Sequence, residues 1–294
     1  TPVLAKDCVA SIRRWGVRDG FGQRLMAATD DLSAPDDRRI VFRLKRPFPQ
    51  LPDAMAKGTN NICAIMPERL AATDPFRQVT EMVGSGAFRF LAAERVPGAK
   101  NAYARFEAYV PREGQASFLA GPKVAKLDRV EWITMPDPTT ASGALRTGDI
   151  DWWELPPPDL LPLLRRTRNV KVEVQDPNGY IGVLRMNHLH APFDDARVRR
   201  AVLSVVNQAD FMTAAVGDDR SAWREGVGFF CPETPMANAA GMQALTGPRD
   251  IDRAKAEIAA AGHAGAPVTV LAATDLPILD AIGQVTQDLL KRLS

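Results

Sequence analysis

Only three histidines occur among the 294 residues, His188, His190 and His263, so any imidazole-based acid, base or metal chemistry must be built from them. His188 and His190 are separated by one residue. On an extended strand both rings point to the same face and could share a metal ion, but no third ligand is visible beside them. The same spacing fits a polar strand end whose neutral imidazoles bond to backbone groups, and no metal site is expected. His263 follows Gly262 at a helix end, where a polar side chain suits the exposed carbonyls. The chain has no GxSxG elbow and no HExxH pair, and Gly84-Ser85-Gly86 completes neither a dinucleotide nor a phosphate-loop pattern. No cofactor is expected. A hydrolase would need a nucleophile within hydrogen-bond reach of one of the three histidines.

Aromatic pairs offer a different chemistry, the stacking and enclosure of a ligand. Trp152 and Trp153 are adjacent, so on a strand one ring fills the core while the other faces a cleft. Phe229-Phe230, before Cys231-Pro232, carries the same two readings, packing or ligand contact. Asp149, Asp151 and Glu154 could form an acid pair, but their turn and strand positions favour capping and solvation. Arg197, Arg199 and Arg200 read as the solvated face of a helix. Cys8, Cys63 and Cys231 lie far apart, without CxxC spacing, and fit small buried hydrophobes as well as one disulfide plus a free thiol.

These residues need elements to position them. Asp7 stands near the start of an amphipathic helix carrying Cys8, Val9, Ile12 and Trp15. Alternation predicts strands at 39–45, 87–91, 130–133, 150–153 and 170–174. Apolar runs add strands at 60–66, 182–187 and 268–272. Helices are predicted at 67–70 with Pro67 at the first turn, at 140–146 before Gly148, at 160–168, at 194–206, at 251–261 before Gly262 and at 279–293. A polar stretch, 111–126, separates two of the strands. Strands and helices alternating at short intervals predict an α/β architecture with mixed sheets.

Composition narrows the function class. With 46% hydrophobic and 24% charged residues the chain can bury a sizeable core, and 37 basic against 35 acidic residues leave a formal charge of +2. That balance gives no electrostatic reason to expect nucleic acid as partner. No run approaches the roughly 18 apolar residues of a membrane span, and the first residues do not have the pattern of a secretory signal.

Several segments taken in order resemble the family 5 extracellular solute-binding proteins, the dipeptide and oligopeptide receptors of ABC importers. They are Thr1 to Arg13, Ile40 to Pro49, Gly84-Ser85-Gly86-Ala87-Phe88-Arg89-Phe90, Leu127-Asp128-Arg129-Val130, Ala144 to Asp151 with Gly148-Asp149-Ile150-Asp151, Met186-Asn187 and Ala191 to Val202 with Ala191-Pro192-Phe193-Asp194-Asp195. Cys8, Ser85 and Ala87 depart from the family pattern.

The resemblance implies a type II periplasmic-binding-protein fold, with two lobes of mixed sheets plus a small extra domain. Residues 1–83 would form the extra domain, 84–187 the core of the first lobe and 188–294 part of the second, with the chain incomplete at both ends. It further implies a non-catalytic, periplasmic or otherwise extracytoplasmic receptor that closes on a peptide-like or small-molecule ligand and delivers it to an ABC permease. Trp152, Trp153, Asn187, Phe229 and Phe230 are the expected ligand contacts. The alternative within the family is a metal or metallophore receptor of the nickel type, using His188 and His190. An unrelated hydrolase is the third reading.

Overall fold

The computed structural model describes residues 2–58, 60–117 and 120–294; Thr1, the first residue of the first family-like segment, and Phe118 and Leu119 of the polar stretch lie outside them. The chain forms two compact units, Thr1–Met135 and Pro136–Ser294.

The first unit opens with α1 (Ala5–Arg18), as the apolar spacing predicts. Asp7 serves two helix starts at once. Its Oδ2 accepts from the Leu4 amide at 2.9 Å and its Oδ1 accepts from the Glu68 amide at 2.8 Å, at the first residue of α4 (Glu68–Ala71). Those two amide bonds hold its carboxyl below the usual carboxylate range. Between these helices lie α2 (Gly20–Ala28), the antiparallel hairpin of β1 (Thr29–Asp36) and β2 (Arg39–Leu44), and α3 (Leu51–Met55). Only β2 was predicted; β1 is broken by polar residues and Pro35, which mask its alternation. The core here joins Val9, Ile12 and Trp15 of α1 to Leu25, Leu32 and Ala54.

Asp19 is 2% exposed and ties this region together. It is the N-cap of α2, its Oδ1 accepting from the Phe21 and Gly22 amides at 2.9 and 3.0 Å, while its Oδ2 accepts from the Lys57 ammonium. The second sheet is antiparallel in the order β3 (Phe88–Phe90), β4 (Lys100–Arg105), β5 (Arg129–Ile133). It shares no strand with the hairpin.

The predicted strand 60–66 is not one. Its partners are side chains of α1: the Trp15 Nε1 donates to the Asn61 carbonyl at 2.6 Å, and the Ser11 hydroxyl accepts from the Met66 amide at 3.0 Å. A segment whose backbone groups are taken up by helix side chains has no ladder to join.

The second unit contains α5 (Pro138–Thr147), α6 (Leu161–Arg166), α7 (Ala196–Ser204), α8 (Gln208–Val216), the one-turn α9 (Gln243–Thr246), α10 (Ile251–Ala260) and α11 (Pro277–Leu293). Side-chain caps start four of them, from Asp137, Asp195, Asn207 and Asp250. Gly148 at φ +84° closes α5, and Gly262 at φ +85° follows α10. The core packs Val198, Ala201, Val202 and Val205 against Ala254, Ile258, Leu289 and Leu293, joining α7, α10 and α11.

No strand occurs in this unit among the described residues. The predicted strands 150–153, 170–174, 182–187 and 268–272 are therefore corrected to irregular segments. Their apolar patterns are real, but no neighbouring edge supplies partners for their amides and carbonyls, and Val174 and Leu271 remain 82% and 94% exposed.

Burial opposes the charge on Asp19, yet the direct bond to Lys57 prevails, aided by the two amides, and its carboxyl is held below its ordinary value. A depressed folded-state pKa contributes stability above the ordinary value of about 4 that is lost as pH falls through the folded one. Asp19→Asn should lower unfolding free energy at pH 7 by about 2 kcal/mol in urea titrations. It should also flatten the loss of stability below about pH 4, measured as the same titration across pH.

Candidate functional site

All five expected ligand contacts lie in the second unit. Trp152 and Trp153 sit in the loop between α5 and α6 instead of on a strand. The loop is set by the left-handed Gly148 and by the Asp149 amide, which donates to the Ala144 carbonyl at 2.8 Å. Trp152 is 74% exposed and Trp153 is half-buried, so one ring is offered outward even without a strand to impose alternation. Asp149, Asp151 and Glu154 are exposed, and Asp149 accepts from the Thr147 hydroxyl at 2.6 Å, which fits capping and solvation.

Asn187 is exposed, and its Oδ1 accepts from the Leu189 amide at 3.0 Å, an Asx turn that leads toward α7. His188 and His190 stand in that turn, both exposed. Among the described residues no histidine side chain bonds to a serine, cysteine or carboxylate, and no group of three His, Cys, Asp or Glu side chains gathers where a metal ion would fit. Beside the turn, Asp195 caps α7 through the Arg197 amide at 2.7 Å and accepts from the Arg197 guanidinium at 2.6 Å. Arg197 is the main reason its pKa falls to about 2. Arg199 is not a solvated-face residue as expected: it is half-buried and donates to the Phe193 and Asp194 carbonyls at 2.6 and 3.0 Å.

Phe229 and Phe230 meet edge to face, with centroids 5.0 Å apart and planes at 83°. Phe229 is 80% exposed and Phe230 half-buried. No ring contact joins this pair to the tryptophans among the described residues.

Two features were missed by sequence reasoning. Trp223 is buried, its Nε1 donating to the Gly217 carbonyl at 2.9 Å, with the Arg220 guanidinium 4.0 Å above its ring. The Arg-x-x-Trp spacing was the available signal. A groove of about 460 Å³ runs between α8, α10 and α11, bordered by Asn207, Asp210, Arg249, Asp288 and Arg292. Nothing in the linear pattern joins residues so distant from one another.

The second unit thus carries outward aromatic surface at Trp152 and Phe229, a polar turn at Asn187 and a groove with charged rims. Over residues 1–293 the sequence matches the bacterial extracellular solute-binding proteins, family 5. The chain belongs to that family.

A protein of Sinorhizobium fredii (strain NBRC 101917 / NGR234), the probable peptide ABC transporter periplasmic-binding protein y4tO, is 40% identical over 285 residues. The match covers 94% of this chain and 51% of the relative, so the chain spans about half the length of the curated relative it matches. Among solved structures, the binding protein AgaA of A. tumefaciens R10 in complex with agropinic acid superposes with TM-score 0.74 at 21% identity, over 100% of this chain and 56% of that one. NikZ from Campylobacter jejuni in complex with Ni(L-His) gives 0.63 at 15% identity, over 99% and 57%. The α/β fold is thus that of the type II periplasmic binding proteins, and the family and its relatives are solute-binding proteins.

Exposure separates the roles of the aromatic residues in stability. Trp152→Ala and Phe229→Ala should each change unfolding free energy by no more than about 0.5 kcal/mol, whereas Trp223→Ala should cost about 3 kcal/mol, all read by chemical denaturation.

Proposed function

We propose that the protein is an extracytoplasmic receptor that captures a peptide-like solute and delivers it to the permease of an ABC importer, without chemical change to the solute. The observation that carries this reading is the 40% identity to a probable peptide ABC transporter periplasmic-binding protein. Capture works by hinge closure: contacts made only in the closed state shift the population toward it, and the permease reads the closed form.

Trp152, Trp153, Phe229, Phe230 and Asn187 are the proposed ligand contacts. The outward faces of Trp152 and Phe229 support this, because an exposed large ring has little packing to lose and apolar area to gain when a ligand covers it. We further propose a small extra domain at 1–83, a first-lobe core at 84–187 and second-lobe residues at 188–294. The first boundary is supported by the absence of a shared strand between the hairpin and the β3–β5 sheet, which flank Gly84-Ser85-Gly86. The second is supported by the Asx turn at Asn187.

A metal or metallophore ligand is the second reading, favoured by His188 and His190 lying exposed in one turn and by the likeness to a Ni(L-His) binder. Thermal-shift titration separates the two. A peptide mixture should raise the Tm while nickel alone should not; stabilisation by nickel alone would defeat the peptide reading. Trp152→Ala should weaken peptide binding by roughly tenfold in calorimetry while leaving the unliganded Tm unchanged.

A further inference from the structure

Cys8 lies on α1 one turn before Ser11 and Ile12 and two turns before Trp15, on the stripe that faces the 61–68 segment. That segment is pinned to the stripe at three points. Trp15 Nε1 bonds to the Asn61 carbonyl at 2.6 Å, Ser11 Oγ accepts from the Met66 amide at 3.0 Å and donates to the Met66 carbonyl at 3.1 Å, and Asp7 accepts from the Glu68 amide at 2.8 Å. Cys63 sits between the first two pins and packs against the cluster of Val9, Ile12 and Leu32. Both cysteines are half-buried thiols. Burial, and then the Cys8 thiol, push the Cys63 thiol up to about 11. Cys231 belongs to the other unit, where its Sγ lies 3.9 Å from the Gly179 carbonyl.

We propose that Cys8 and Cys63 are a disulfide pair whose bond staples the 61–68 segment to α1. A disulfide needs Cα atoms about 4.4–6.8 Å apart, and the pins at Asn61 and Met66, on either side of Cys63, hold that residue along the face of α1 that carries Cys8. The oxidant is a second disulfide. The Cys8 thiolate attacks it, forming a mixed disulfide and releasing one thiol; Cys63, the harder thiol to ionise, then loses its proton and displaces the second. One sulfur–sulfur bond forms and one breaks, two protons leave the protein, and the oxidant is reduced to two thiols. The chemistry of the pair stands on α1 and the 61–68 segment alone; its occurrence in the cell rests on the extracytoplasmic reading.

The test uses the full protein, prepared reduced and incubated with oxidised glutathione, then alkylated under denaturing conditions and mapped by mass spectrometry without reductant. A cross-linked peptide containing Cys8 and Cys63, two hydrogens lighter than the sum of its parts, with Cys231 outside it, is the expected result. In a Cys231→Ser background, reduction should lower the Tm by about 5 °C, and Cys8→Ser or Cys63→Ser should abolish that difference. Alkylation of both Cys8 and Cys63 after oxidation, or linkage of either to Cys231, overturns the proposal. Cross-linking in the tube together with free thiols in protein taken directly from the cell envelope would support the pair and defeat the extracytoplasmic reading instead.

Discussion

Every amide and carbonyl drawn out of water must find a partner, and the way this chain meets that demand shapes both units. In the first unit the strands meet it by pairing with one another, in a two-stranded hairpin and a three-stranded sheet. In the second, helices meet it internally and four polar caps complete their ends. Segments between those helices stay irregular, and some of their apolar side chains, Val174 and Leu271 among them, remain in solvent.

Single carboxylates carry much of the organisation. Asp7 bonds to the amides at the starts of α1 and α4, and Asp19 joins the start of α2 to Lys57 from a position almost out of water. Such groups are costly to bury and costly to remove, because each leaves donors without a partner. Asp195 acts similarly at α7, where it caps the helix through the Arg197 amide and pairs with the Arg197 guanidinium.

The family assignment and the exposed aromatic rings fit the same physical picture. Receptors that must hold and then release a solute gain from surface that is incomplete until the ligand arrives. The proposed contacts Trp152 and Phe229 offer exposed ring surface of that kind; Phe229 also meets the half-buried Phe230 edge to face. Trp223, by contrast, has its indole nitrogen bonded and its ring stacked by Arg220, and belongs to the packing.

The sequence by itself determined the family, through short segments in a fixed order, and most helices, because caps, apolar stripes and terminal glycines act within a few residues of one another. Gly148 and Gly262 were legible for that reason. Only the tertiary structure decided which apolar runs became strands, since a strand is completed by an edge elsewhere: 129–133 found one in β4, whereas 170–174 and 268–272 did not. It also decided that Cys63 lies along α1, that Arg199 turns inward and that Trp152 faces out while Trp223 is enclosed. Those outcomes depend on contacts between distant parts of the chain, which spacing along the sequence does not encode.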